Sequence, residues 1–366
     1  MGGGPEASER QKIMSRRSLT LIIASVGTAV AIAVSVLVPV PYVILGPGPT
    51  LNTLGNDSSG HPLIAISGHP SYAAGGHLNM VTVSYQGCAG NRFNIFTAIV
   101  AWLNPRQAVV PESEICPAGQ TQQQTQEQDT QQMTGSQQTA TAAALTQLHI
   151  AYATEVVVVQ ANKGFPAYGV LDAGDVITAV DGRTVTTQQG LTTAIYAHPA
   201  GSTLTVTITR DGQTRNVQVG TKEQKGAGDV GGGHPVMGVE IQEQYKFPFT
   251  VKISVGDIGG PSAGLMFALG IIDKLTKLDL TGGKFIAGTG EIKASGQVQP
   301  IGGIQQKMIG ARNAGATVFL TPASNCADAK GAVPAGLRLV RVSTLAQAVT
   351  YLEDLNSGQF ASVPSC

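Results

Sequence analysis

The chain has 366 residues, of which 42% are apolar and 13% are charged. This length allows two or three folded units, and the apolar content is ordinary for globular proteins, so the composition excludes a disordered chain. Basic and acidic residues both number 23. The chain therefore has no net charge that would favour a nucleic acid or another polyanion as its partner.

An uncharged apolar stretch at residues 18–40 predicts a transmembrane helix. Its 23 positions, at about 1.5 Å per residue, are enough to span the roughly 30 Å hydrocarbon layer of a bilayer. Four Lys or Arg residues precede the stretch, and the next Lys or Arg is Arg92. Because positive charge marks the cytoplasmic side, we expect residues 1–17 in the cytoplasm and the rest outside, anchored in the cell membrane by a single pass. A cleaved signal peptide is the alternative, although the stretch is longer than a usual signal core.

Residues 41–149 are predicted to form an extracytoplasmic N-terminal region. Short β-prone runs occur at 63–67 and 78–85, and residues 93–103 are typical of a short helix that ends before Pro105. The sequence assigns no chemical role to this region.

The end of the N-terminal region is rich in glutamine. Ten of the twenty residues at 119–138 are Gln. This composition is typical of a flexible spacer. Gln and Ala are also good helix formers, and residues 133–148 would continue the segment as one helix, so both interpretations stay open.

Four cysteines, all beyond the predicted membrane helix, are compatible with disulfides in an oxidising compartment. None of them forms a CxxC pair, so we expect no zinc site. Proximity along the chain favours the pairs Cys88–Cys116 and Cys326–Cys366. Four unpaired, buried thiols are the alternative.

Residues 150–221 are predicted to form a compact β-rich module. Its predicted elements are strands at 155–160, 204–210 and 214–219 and a helix at 188–197. The run GFPAYGVLDAGDVITAVDGRTV resembles the core signature of bacterial PDZ domains. This resemblance implies a PDZ fold that binds extended peptides as an added strand beside the helix. A GLGF-type carboxylate loop is not evident, so no peptide-binding residues are predicted.

A Gly-rich linker is predicted at 222–233, followed by an α/β domain at 234–356 and a C-terminal tail at 357–366. The strands predicted in this domain are 237–242, 249–255, 285–289, 318–320 and 337–342. The fold class is therefore α+β and multidomain, with a transmembrane helix, a PDZ domain and a C-terminal α/β domain.

The first chemical motif of the last domain is GGPSAG, between a predicted strand and a predicted helix. Pro261 is suited to a first helical turn, and Ser262 follows it directly. Unpaired backbone N–H groups and the positive end of the helix dipole surround such a position, so they could hold the oxyanion formed when a hydroxyl attacks a carbonyl. The alternative is that Ser262 only caps the helix.

The second motif is PIGGIQQKMIGARNAGA at 300–316, in which Lys307 falls on the apolar stripe of a helix. Burial lowers the pKa of a lysine, which makes its amine a suitable general base for a serine. One alternative is a lysine that reaches out to solvent. Another alternative is a Gly-rich loop that binds phosphate. No GxxxxGK[ST] motif occurs, so the P-loop form is excluded, and a small-molecule kinase with a GxSSA-type loop is the remaining form.

Both motifs resemble those of Lon proteases. GGPSAGLMFALGIID resembles the nucleophile segment, and IAGTGEIKASGQVQPIGGIQQKMIGARNAGATVFLTP resembles the segment that carries the catalytic lysine. The resemblance covers residues 236–355 and implies a dyad with Ser262 as nucleophile and Lys307 as general base. It also implies that Thr289 and Glu291, in the TGEI segment, lie near Lys307 and tune it.

Two departures from Lon proteases concern an acid and an ATPase. An Asp usually precedes GPSAG, where this chain has a glycine, and Asp257 is a candidate substitute. No Walker motif occurs, so hydrolysis is expected to be independent of ATP. The order of anchor, PDZ and proteolytic domain resembles single-pass Lon-like proteins of Gram-positive bacteria, and the family resemblance implies ring-shaped homo-oligomers, such as hexamers.

The sequence therefore predicts a membrane-anchored serine endopeptidase that cleaves extracytoplasmic or membrane-associated proteins selected by its PDZ domain. Its catalytic residues are expected to be Ser262 and Lys307, with no cofactor and no metal. The alternative is a non-catalytic PDZ scaffold at the membrane.

Overall fold

Two β-sheets organise the protein, whose structure is a computed structural model. It describes residues 16–57, 59–88, 92–116, 119, 121–225 and 233–366. The helices in this part of the chain are α1 (Arg16–Leu37), α2 (Ile95–Leu103), α3 (Glu112–Ile115), α4 (Gln122–Gln147), α5 (Gln188–Tyr196), α6 (Gly264–Leu275), α7 (Ile304–Asn313), α8 (Cys326–Lys330) and α9 (Leu345–Asn356). The strands are β1 (Tyr42–Asn52), β2 (Ile64–Ser67), β3 (His77–Gln86), β4 (Ala108–Pro111), β5 (Ala153–Ala161), β6 (Val176–Val180), β7 (Arg183–Thr184), β8 (Thr203–Arg210), β9 (Gln213–Gly220), β10 (Lys222–Gln224), β11 (His234–Val236), β12 (Val239–Lys246), β13 (Thr250–Ile253), β14 (Phe285–Gly288), β15 (Glu291–Ile292), β16 (Val298–Gln299), β17 (Val318–Pro322) and β18 (Arg338–Val342).

Helix α1 stands apart from both sheets. Its segment Leu19–Leu37 has a mean hydropathy of 2.3, and none of it is buried. Among the described residues it is the one helix long and apolar enough to cross a membrane. This finding rests on length and composition, which a signal sequence near the N-terminus also satisfies.

The first sheet has the order β18-β17-β14-β3-β1-β4. Strands β3, β14, β17 and β18 are parallel, whereas β1 pairs antiparallel with β3 and β4. Because side chains alternate along a strand, both faces of the sheet are covered. In β14, Ile286 joins the core formed with α6 and α9, and Ala287 joins the core formed with α7. Helices α6 and α7 therefore lie on opposite faces of the sheet.

The second sheet has the order β12-β5-β6-β8-β9, with β7 added to β6, and all its pairs are antiparallel. Helix α5 packs on it through Leu191 and Ile195, which join a core with Val156, Ile177 and Leu204. The hairpin of β8 and β9 turns at Asp211-Gly212, a residue pair typical of two-residue hairpin turns.

The predicted N-terminal region 41–149 is not a separate unit, so its boundary is wrong. Strands β1, β3 and β4 lie in this region, yet β3 pairs with β14 and the three strands complete the sheet of the C-terminal domain. Strand β2 pairs antiparallel with β13. A strand's pattern shows which face is buried but does not identify a distant partner, which is why the sequence missed this pairing.

The last domain is predicted to start at residue 234, but its first predicted strand does not join the first sheet. The strand predicted at 237–242 is observed as β12, which pairs with β5 and belongs to the second sheet. The second sheet is therefore inserted, between α4 and β13, into the domain that contains the first sheet. At the ends of the predicted linker 222–233, β10 pairs with β11, and residues 226–232 lie outside the described part of the chain.

The glutamine-rich segment is helical. Helix α4 is 26 residues long and begins with a capping box, in which Thr121 and Gln124 bond reciprocally. Its later half buries Ala140, Ala143 and Ala144 in the same core as α6. The spacer interpretation is therefore wrong for residues 122–147.

Both disulfides predicted from proximity are present, Cys88–Cys116 and Cys326–Cys366. The second one ties the predicted tail 357–366 to the domain, and Val363 in this tail is buried. The tail is thus part of the folded unit.

Candidate active site

Ser262 lies in a loop that connects β13 with α6. The loop turns at Gly260, whose φ of +86° favours glycine. Helix α6 begins at Gly264, and its N-cap is Ala263, without a side-chain cap bond. The prediction of Ser262 in the first helical turn is therefore wrong by two residues, and so is the alternative that Ser262 caps the helix.

The backbone of the Ser262 loop is fastened to the end of β14. The carbonyl oxygen of Ser262 accepts from the Gly290 N–H at 2.8 Å and from the Thr289 hydroxyl at 3.0 Å. The Leu265 N–H donates to the Gly290 carbonyl at 3.0 Å. These three bonds hold the start of α6 at the C-terminal end of a parallel strand, the usual edge for sites in open α/β sheets.

Lys307 reaches the same place from α7. This helix begins after Gly303, whose φ is +68°, and Lys307 is only 3% exposed. Its amine donates to the Thr289 hydroxyl at 3.3 Å. Burial lowers the pKa of the Lys307 amine to about 8, as the sequence predicts, and the described residues offer no carboxylate that forms an ion pair with it.

Thr289 connects the two predicted catalytic residues. Its side chain is fully buried. A hydroxyl has one proton to donate, and that proton goes to the Ser262 carbonyl. The lone pairs on the Thr289 oxygen are then available to the Lys307 amine. The predicted nearness of Thr289 to Lys307 is confirmed, whereas Glu291 is exposed on β15.

Ser262 and Lys307 line one cavity of about 420 Å³. Asp257, the predicted substitute acid, lines it as well and is exposed. Tyr85 from β3 and Asp129 and Met133 from α4 are also among its lining residues. The cavity is therefore built from segments that lie before and after the second sheet in the chain.

Helix α4 closes one side of this cavity, which the sequence did not predict. Its Ser136 hydroxyl donates to the Pro261 carbonyl at 2.9 Å, and its Asp129 carbonyl accepts from the Gly260 N–H at 3.0 Å. A Cβ placed on Gly259 would lie 2.5 Å from the Cβ of Asp129. Glycine at position 259 is thus what allows Asp129 to pack against the Ser262 loop.

Burial raises the pKa of the Asp129 carboxyl. It also raises the pKa of Tyr85, to which the charge of Asp129 adds. Asp129 therefore brings an acidic group to the wall of the cavity. No motif signals this residue, because it lies within a glutamine-rich run.

The second sheet places a strand and a helix side by side. Strand β12 is the last strand of the sheet order and contacts α5, whose predicted position at 188–197 is confirmed. The Gln188 N–H at the start of α5 donates to the Glu243 carboxylate of β12 at 2.7 Å. A cavity of about 570 Å³ lies between β12 and α4.

In the part of the chain that the structure covers, no group of three or more His, Cys, Asp or Glu side chains could hold a metal ion.

Two family models match the chain. Residues 123–221 match the model of the PDZ domain, and residues 235–352 match that of the Lon protease (S16) C-terminal proteolytic domain. Both predicted resemblances are confirmed. The first match begins well before the predicted module at 150–221 and includes α4, which packs on α6.

Curated relatives are Lon proteases. Lon protease 2 of Herpetosiphon aurantiacus is 34% identical over 130 residues, covering 35% of this chain and 15% of the relative. Lon protease 1 of Bacillus subtilis is 30% identical over 120 residues, covering 31% of this chain and 15% of the relative. The Lon protease of Roseiflexus castenholzii is 44% identical over 69 residues, covering 19% and 8%. The chain thus spans a small part of the length of these relatives.

Solved structures similar to the chain include a PDZ domain. The crystal structure of the PDZ domain of an SdrC-like protein from Listeria monocytogenes has 24% identity and a TM-score of 0.21, covering 24% of this chain and 85% of that one. A solution structure of a protein from Geobacillus thermodenitrificans has 30% identity and a TM-score of 0.18, covering 19% and 80%.

Proposed function

From the PDZ domain and the Lon-type proteolytic domain that this chain contains, we propose that the protein is a serine endopeptidase with Ser262 as nucleophile and Lys307 as general base. The observation that carries the proposal is the Lys307 amine. It is buried without an ion-pair partner among the described residues, its pKa is lowered to about 8, and it lines the same cavity as Ser262. A structural lysine gains nothing from such a position, because burial of an unpaired charge costs free energy.

The proposed reaction proceeds through an acyl-enzyme. The neutral Lys307 amine takes the Ser262 hydroxyl proton while Oγ forms a bond to the peptide carbonyl carbon. The resulting ammonium donates that proton to the leaving amine as the C–N bond breaks. Water then attacks the ester and returns the proton to Ser262, which restores the resting enzyme.

Backbone groups at the start of α6 are suited to stabilise the oxyanion. The N–H groups of Ala263 and Gly264 precede the first intrahelical bond, which the Phe267 N–H makes to the Ala263 carbonyl. The Leu265 N–H is used by Gly290. The role of Thr289 is to orient the amine, because it accepts a bond from Lys307 while its own proton is committed to Ser262.

The proposed setting is the outer face of the cell membrane. Helix α1 serves as a single-pass anchor with its N-terminus in the cytoplasm, supported by the charge asymmetry around Leu19–Leu37. Hydrolysis is independent of ATP and acts on extracytoplasmic or membrane-associated proteins. The edge of β12 beside α5 receives a peptide segment of the substrate as an added strand. Assembly into a homo-oligomeric ring, such as a hexamer, follows from the resemblance to Lon proteases.

Labelling with a fluorophosphonate probe tests the dyad on the full chain in detergent. We expect the unmodified protein to be labelled at Ser262, and Ser262→Ala and Lys307→Ala to lose labelling. Ser357→Ala and Lys330→Ala are matched controls, because both residues are exposed and neither lines the cavity; they should label normally. Labelling that survives Ser262→Ala would rule out this nucleophile. Absence of labelling, with unchanged cleavage of surface proteins in a Ser262→Ala strain, would favour the PDZ scaffold instead.

A further inference from the structure

A second apolar helix lies beside the end of α1. Helix α2 reads IFTAIVAWL and contains no charged residue. It contacts α1, and the residues just before α2 form backbone hydrogen bonds with the segment that follows α1. The Val40 N–H donates to the Phe93 carbonyl at 3.0 Å, and Pro39 and Asn94 form an isolated β-bridge. Helix α1 ends at Leu37, so these contacts place the start of α2 beside the C-terminal end of α1, although the two helices are far apart in the sequence.

Helix α2 has an inner face and an outer face, and both are apolar. Ala98 and Ala101 face inwards and pack with Ile44, Phe93 and Val109. The outer face is a stripe at the i, i+3, i+4 and i+7 positions of a helix. Its exposed members are Phe96 (46%), Ile99 (46%), Val100 (69%) and Leu103 (69%), joined by Trp102 (73%). Single exposed apolar residues are ordinary, but a contiguous apolar stripe indicates an interaction surface.

The position of α2 is held firmly on the first sheet. Strand β4, which follows α2, pairs with β1. The disulfide Cys88–Cys116 closes the segment that carries α2, and Arg92 forms an ion pair with Glu112 at 3.2 Å. The outer stripe therefore keeps a fixed orientation relative to the domain.

We propose that the outer face of α2 is a second membrane contact, inserted at the boundary between headgroups and acyl chains of the outer leaflet. The inference rests on the proposed anchoring by α1. If α1 crosses the bilayer, its exit near Leu37 places the start of α2 at the headgroup level, where a soluble partner has little room to bind. Helices with an apolar stripe and a Trp lie in this interface.

The residue Arg106, which flanks α2, also suits this location. Arg106 follows α2 and is exposed, within reach of anionic headgroups. Two contacts with the bilayer, α1 and α2, would fix the orientation of the domain on the membrane, whereas α1 alone would leave it free to rotate and tilt. The cavity of Ser262 would then face a constant direction relative to the surface.

Trp102 makes the inference directly testable, because it is the single tryptophan of the chain. The full chain is reconstituted into phosphatidylcholine–phosphatidylglycerol liposomes with or without bromine on the acyl chains, and Trp fluorescence is measured. We expect brominated lipids to remove most of the emission and acrylamide in the aqueous phase to have little effect. Val100→Glu should restore much of the emission, whereas the matched control Val333→Glu, at an exposed valine outside α2, should not.

The possible failures are distinguishable. Emission that is quenched by acrylamide and not by brominated lipid would overturn the inference, because Trp102 would then face water. Shielding from both quenchers would also overturn it and indicate a protein contact, such as a second copy of the chain. A chain that does not float with the liposomes would overturn the anchor and the inference together. None of these results bears on the dyad, which probe labelling measures separately.

Discussion

The acylation of Ser262 should depend on pH through the protonation of Lys307. Only the neutral amine can accept the Ser262 proton, so the rate should follow the neutral fraction of Lys307 in the free enzyme. Burial lowers the pKa of this amine from 10.5 to about 8. The rate should therefore rise about tenfold per pH unit below pH 8 and level off above it.

The magnitude follows from that pKa. With a pKa of about 8, roughly one amine in eleven is neutral at pH 7, against about one in 3,000 for a pKa of 10.5. Burial of Lys307 thus increases the amount of active base at pH 7 by roughly 300-fold. This factor is of the size that general-base catalysis contributes in enzymes, about 10² to 10⁴.

The assay is the second-order rate of fluorophosphonate labelling of the full chain between pH 5.5 and 9.5. Lys307→Arg keeps a positive charge that does not titrate in this range, so it should abolish the pH-dependent labelling. A flat profile from pH 5.5 to 9.5, or a midpoint near 10.5, would refute the reasoning. A midpoint that is unchanged in Lys307→Arg would assign the titration to another group.

Three further predictions concern the surroundings of the dyad. Lys307→Met should raise the free energy of unfolding of the domain that contains the first sheet by about 3 kcal/mol below pH 8, where the buried amine of the unmodified protein is charged. This gain should fade between pH 8 and 10.5, because the unmodified protein becomes more stable as its Lys307 loses the proton. Denaturation with urea at two pH values checks this. Thr289→Val should lower the plateau labelling rate about tenfold through loss of buried hydrogen bonds, and should move the midpoint to lower pH, because the ammonium loses an acceptor. Gly259→Ala should slow labelling by displacing Asp129, and Asp129→Gly in the same chain should restore the rate.

Matched controls separate these effects from general damage. Thr321→Val also removes a fully buried hydroxyl, but one that lies outside the cavity, so the pH midpoint should stay in place. Gly331→Ala adds a methyl group where nothing lies within 4 Å, so labelling should be unchanged. A Gly259→Ala defect that persists in the double variant would show that Asp129 is not the clashing group.

The chemistry of the site was predictable because it lies in two continuous motifs. Lys307 sits on the apolar stripe of a single helix, and local periodicity is enough to predict its burial. The two disulfides join cysteines only 28 and 40 residues apart. In each case the information lies within one element or a short stretch of chain.

The architecture around the site was not predictable in the same way. Strand β3 pairs with β14 although about 200 residues separate them in the chain. Helix α4 contributes Asp129, Met133 and Ser136 to the site, yet its first half is almost uniformly polar, so no apolar stripe reveals which side faces the nucleophile. The short strands carry too little pattern to select one distant partner among several.

The insertion of the second sheet leads to a last prediction, which concerns where the chain can be cut. Ala153 pairs with Lys246 at the entry to β5 and the exit of β12, and the neighbouring rings of Tyr152 and Phe247 lie 5.6 Å apart. Paired strands lie about 5 Å apart, so the two junctions can be joined by a short linker. Deleting 153–246 and inserting Gly-Ser should therefore leave the first sheet folded and Ser262 reactive.

Deletion at the boundaries predicted from sequence, 150–221, should behave differently. It removes β5 and leaves β12 without its partner, so unpaired backbone groups and an apolar face become exposed. We expect this variant to aggregate, whereas the 153–246 deletion should stay soluble in detergent and accept the fluorophosphonate probe. If both deletions label equally well, β12 does not depend on β5. If the 153–246 deletion alone fails, the first sheet needs the inserted one in order to fold, and the two modules form a single cooperative unit.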